Sequence, residues 1–71
     1  MYNLEEIRKG SSCTICWILG ELGKQLKKWM NLDLDDEINV LYNDGTSIII
    51  RHNNQTYALD SCSAHAIKVT I

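Results

Sequence analysis

The sequence predicts an all-β fold: a small barrel of five short strands with one inserted α-helix and one short helical turn. Three observations predict it. Short runs of alternating apolar residues recur along the 71 residues, and alternation is the mark of a half-buried strand. A single stretch, from Leu22 to Met30, carries helical periodicity instead. Asn43-Asp44-Gly45 sits between two alternating runs as a hairpin signal, since Asp-Gly supplies the positive φ angles of a tight primed turn. Closure into a barrel would hide the edges that such short strands otherwise leave open to aggregation.

At the start, Leu4 and Ile7 stand three apart, enough for one helical turn, which Gly10 closes. Ser12 to Ile18 alternates, with Cys13, Ile15 and Trp17 expected inward and Ser12, Thr14 and Cys16 opposite. Gly20 and Gly23 bracket the entry to a helix over about 22–30. Its expected stripe is Leu22, Leu26, Trp29 and Met30, at i, i+4, i+7 and i+8. Lys24, Lys27 and Lys28 fall on the flanks and back, two of them in the last turn, where cations suit the helix dipole. Asn31 tolerates the left-handed conformation that ends helices. Leu32 and Leu34 are expected to fold back behind it.

Glu37 to Asn43 places Ile38, Val40 and Tyr42 on one side. Thr46 to Arg51 answers with Ile48 and Ile50 on one face and Ile49 on the other. His52 to Gln55 reads as a polar turn with His52 hydrated, followed by Thr56 to Leu59. Asp60 is placed to cap a helical turn at about 60–65. Ile67, Val69 and Ile71 point inward along the final strand.

Composition excludes several classes. The length suits one domain, 1–71, with no linker or repeat. Net charge is −2, a poor basis for gripping nucleic acid through its phosphates. No apolar run approaches the roughly 20 residues of a membrane span, and Glu5 and Glu6 before the longest run argue against a secretory signal. Three cysteines cannot all pair within one chain, which suggests free thiols in the cytoplasm.

Chemistry-bearing groups are few. Cys13 and Cys16 have C-x-x-C spacing, but residues three apart on a strand face opposite ways. Cys62 and His65 are three apart on a helical turn, so with a thiol from the first strand they are the candidates for a zinc or ferrous site. Asp33, Asp35, Asp36 and Glu37 lack the frame of a calcium loop and read as a solvated turn. No nucleophile–base arrangement and no phosphate-binding loop can be assembled, so the reading is not an enzyme.

The ordered pieces resemble the ferrous iron transport protein A (FeoA) family. Leu4-x-x-Ile7-x-x-Gly10 is similar to that family's L-x-x-L-x-x-G opening, followed by its first strand at Cys13 to Trp17. Gln25-Leu26 to Leu32 is similar to its R-L-x-x-L-G-L helix and exit, and Glu37 to Ile50 to its central hairpin. Ala58-Leu59-Asp60 with Ala64-x-x-Ile67-x-Val69 resembles its closing pattern. Asn31 replaces the usual Gly, Leu34-Asp35 the usual Pro-Gly, and the hairpin loop is short.

The resemblance implies an SH3-like barrel and a non-enzymatic cytoplasmic accessory protein of bacterial ferrous iron uptake. Its implied partner is the cytosolic GTP-binding part of the ferrous iron transporter, with the membrane reached only through that partner and no resident cofactor. The helix is then the expected contact, through Lys24, Gln25, Lys27, Lys28 and Asn31. Two alternatives stand beside this reading. One is a carrier or sensor of ferrous or zinc ions using Cys62 and His65; the other is a free-standing SH3-like domain related to iron-dependent repressors.

Overall fold

The computed structural model describes the whole chain, Met1–Ile71. Strands β1 (Tyr2–Asn3), β2 (Ser12–Ile18), β3 (Glu37–Asn43), β4 (Ser47–His52), β5 (Gln55–Asp60) and β6 (Ile67–Thr70) form one antiparallel sheet in the order β1-β6-β2-β3-β4-β5. Helix α1 spans Gly20–Met30 and the short α2 spans Ser61–Ala64; a 3-10 turn covers Leu4–Glu6. The extents of 25 × 23 × 21 Å are nearly equal, so the sheet curls around its own core as a small barrel. The five expected strands are all present. The two-residue β1 is additional: Tyr2 pairs with Val69 and Asn3 with Lys68.

The core is the inward face of the strands. Cys13 and Ile15 of β2, Ile38 and Val40 of β3, Ile48 and Ile50 of β4, and Ile67 and Val69 of β6 are all buried. Leu4, Ile7 and Leu32 close its ends. The opening segment is tied down by Asn43, whose Nδ2 donates to the carbonyls of Glu5 at 2.9 Å and Ile7 at 2.8 Å.

Helix α1 presents Gly23, Leu26 and Met30 to the barrel, whereas Leu22 and Trp29 are exposed. The expected stripe is therefore turned toward Gly23, which sits so close to β2 that a Cβ there would lie 2.8 Å from Cγ2 of Ile18. That close approach replaces two of the expected large contacts. Asn31 ends the helix in the left-handed conformation, φ 53 and ψ 47, its N–H bonded to the Lys27 carbonyl. Asp60 caps α2 by accepting from the N–H of Ser63 at 2.6 Å. Both caps match the sequence reading.

Six expectations are corrected. Trp17 and Tyr42 point outward, because a bulge between Ile15 and Trp17 and another between Val40 and Tyr42 slip each alternation by one. Ile71 lies beyond β6 and is exposed. Leu34 is exposed where Leu32 is buried. The Asp44–Gly45 hairpin is not a two-residue primed turn: residues 44–46 lie outside the strands, and Asp44 Oδ1 accepts from the N–H groups of Thr46 and Ser47. The pair of positive φ angles that a primed turn needs occurs at Asn53 and Asn54, between β4 and β5. Finally, His52 is buried, not hydrated.

Candidate docking groove

One groove of about 220 Å³ opens on the surface, lined by Trp17 and Ile18 of β2, Lys24 and Lys27 of α1, and Leu34 of the loop between α1 and β3. Its apolar wall lies beside two backbone irregularities. The bulge in β2 turns Trp17 outward. On the loop, Asp35 adopts φ 74, a left-handed conformation unusual for a non-glycine residue. Trp17 and Leu34, 53% and 48% exposed, face solvent instead of the core.

The two irregularities are joined at one residue. Ile15 accepts from the N–H of Asp35 at 2.8 Å and donates to the carbonyl of Asp36 at 2.9 Å. The loop is held again by the Asp36 carboxylate, which accepts from the N–H of Asp33 at 3.0 Å and lies 2.8 Å from His52 Nε2. The His52 bond, followed by the Asp33 N–H, holds the Asp36 carboxyl below its ordinary range. His52 Nδ1 is buried without a protein partner. Sequence reasoning missed this pair, although His52 continues the inward series Ile48, Ile50 at period two.

The predicted contact residues divide. Lys24 and Lys27 line the groove, while Gln25, Lys28 and Asn31 are exposed elsewhere on α1 and its exit. Lys24 pairs with Glu21 at 3.4 Å, both side chains largely in water, so that bond contributes little. Lys27 and Lys28 form no ion pair. Trp29 packs edge-on against Tyr57 of β5, ring centroids 5.3 Å apart.

The thiols are dispersed by environment. Cys13 is buried in the core, and burial, with the nearby Glu37 charge, pushes its pKa up to about 11. Cys16 is half-buried and Cys62 exposed. His65 is hydrogen-bonded through Nδ1 to Glu5. No group of three or more His, Cys, Asp or Glu side chains converges as a metal ion would require. No helix is long and apolar enough to cross a membrane.

No family model and no curated protein sequence matches the chain. Solved structures do. An iron uptake regulatory protein, FeoA, superposes with a TM-score of 0.84 at 26% identity, over 97% of this chain and 93% of that one. A FeoA-like protein from Clostridium acetobutylicum gives 0.88 at 20% identity, over 99% and 85%. A manganese-dependent transcriptional repressor gives 0.85 at 23% identity, over 97% of this chain but only 40% of the repressor. The same fold is thus shared with part of metal-dependent repressors. In three dimensions the chain resembles these FeoA proteins, with their small SH3-like barrel, over nearly the full length of both.

Proposed function

We propose that this protein is an accessory of bacterial ferrous iron uptake that acts by protein–protein contact and carries out no catalysis. Its partner in this reading is the cytosolic GTP-binding part of the ferrous iron transporter, met in the cytoplasm. The observation that carries the proposal is the match to an iron uptake regulatory protein across 97% of one chain and 93% of the other. The exposed flank of α1, with Lys24, Gln25, Lys27, Lys28 and Asn31, is the proposed contact, and the groove beside Lys24 and Lys27 adds an apolar surface to it. A backbone amide NMR titration with that GTP-binding part tests the proposal. Saturable shifts on α1 and the adjoining loop support it; a flat titration at high partner concentration refutes direct contact.

The repressor match favours a second reading, a free-standing relative of the domain that occupies about two fifths of such a repressor. In that case the shifts would appear with a helix-turn-helix repressor instead of the transporter part. The metal-carrier reading keeps Cys62 and His65 as its ligands. A zinc or ferrous titration that gives the same stoichiometry in Cys62→Ser and His65→Ala as in the native chain eliminates it.

A further inference from the structure

The groove has a chemistry of its own. Its floor and one wall are apolar, from Trp17, Ile18 and Leu34, and its helical wall carries Lys24 and Lys27. On a chain of net charge −2 this is a locally basic, apolar surface. We infer that the groove binds an extended segment of a partner protein that presents large apolar side chains beside carboxylates. The inference deepens the docking reading above and rests on it for the partner's presence, though not for the groove's chemistry.

Four observations carry it. First, Trp17 and Leu34 are exposed together on one groove, and aromatic anchors dominate binding surfaces. Second, Trp17 is turned outward by the β2 bulge, and bulges are enriched where a side chain is re-aimed for use; Leu34 lies beside it, next to the left-handed Asp35. Third, the backbone on either side of the groove is tied together, by the Ile15 bonds to Asp35 and Asp36 and by the Asp36–His52 bond, so the loop and strand are already placed in the free chain. Fourth, Lys27 is unpaired and Lys24 meets only an exposed Glu21 at 3.4 Å, so both cations are free to meet carboxylates. The acidic residues nearby, Asp33 and Asp35, flank Leu34 on the loop side. The occupant's carboxylates therefore face α1, and its opposite edge is neutral or basic.

The test uses the whole chain, isotope-labelled, and a short capped peptide of alternating leucine and aspartate as probe. Two control peptides carry lysine for aspartate or alanine for leucine. The expected result is saturable shifts of the Trp17 indole and of the Ile18 and Leu34 amides with the first peptide alone, while the Trp29 indole stays still. Combined Lys24→Glu and Lys27→Glu weakens that binding roughly tenfold, two partly screened ion pairs' worth, and both substitutions are at exposed positions that leave the core intact. The inference is overturned if the lysine peptide binds equally well, or if the shifts centre on Trp29. It is overturned too if the Trp17 signal moves with protein concentration alone, as for a second copy, or responds to anionic vesicles and not to peptide. The same spectra taken with the transporter's GTP-binding part separate the two claims. Shifts on α1 that spare Trp17 and Leu34 remove the groove and keep the partner; a peptide response without a transporter response does the reverse.

Discussion

Strands β2 and β4 offer the same inward series at period two and end it in opposite ways. In β2 the series is Cys13, Ile15, Trp17; in β4 it is Ile48, Ile50, His52. The first two members of each are buried. At the third, the large apolar Trp17 is 53% exposed and the polar His52 only 2%. Hydropathy alone would assign them the other way round. The difference lies in the ladders. β4 pairs with β5 without interruption from Ser47–Asp60 to His52–Gln55, whereas β2 slips against β6 between Ile15 and Trp17. Register, more than the affinity of a side chain for water, decides which face it occupies. The fold then has to satisfy the consequence, and it does so by placing Asp36 against the buried imidazole.

Ile15→Ala and Ile50→Ala should each cost about 2–5 kcal/mol, a large share of what a chain this size can hold, because both residues are fully buried. Chemical denaturation reads the cost, and a loss under 1 kcal/mol at Ile15 would mean that the slip in β2 begins earlier than described. At the third position, His52→Ala should cost about 2 kcal/mol, from lost packing and from the lost bond to the Asp36 carboxylate.

Asp36→Asn sharpens that point through pH. The Asp36 carboxyl is lowered in the folded chain from an ordinary value of 3.8, so an unfolded chain takes up its proton first. Its contribution is complete above that ordinary value and is lost as pH falls through the lowered one. The gap between native and Asp36→Asn midpoints should accordingly close in acid; a gap that stays constant refutes the pairing.

Trp17→Ser should change stability by no more than about 0.5 kcal/mol despite the size of the residue, since surface substitutions seldom do more. A drop comparable to that of His52→Ala would erase the contrast between the strands. The gentlest test needs no substitution. Under native conditions a thiol reagent at mildly alkaline pH should modify Cys62 readily, while Cys13, buried and with its pKa pushed up to about 11, reacts only as the chain unfolds.

Much of this fold was legible because its local signals are self-contained. Asn31 and Asp60 announce their caps through properties of their own side chains, and the helix and five main strands announce themselves by period. What could not be read depends on partners distant in sequence. A bulge is a relation between β2 and β6, not a property of Trp17, and nothing near His52 names Asp36, sixteen residues earlier. Both predicted turns form, but the primed geometry belongs to Asn53-Asn54, while Asp44 uses its carboxylate to build a wider loop. Of the candidate contact residues, the pattern puts four on the helix and Asn31 at its end; the structure sets Lys24 and Lys27 on a groove that the pattern does not reveal, since its apolar half includes Trp17, expected in the core, and Leu34, expected to fold back behind the helix.

The smallest strand has a consequence out of proportion to its length. By pairing Tyr2 with Val69, β1 brings the beginning and the end of the fold to one spot on its perimeter. A unit whose entrance and exit coincide can be spliced into a longer polypeptide with short connections, or reopened at a distant loop such as Asn53-Asn54, without disturbing the remaining ladders. That portability is consistent with the same architecture standing nearly alone in one solved structure and filling 40% of another.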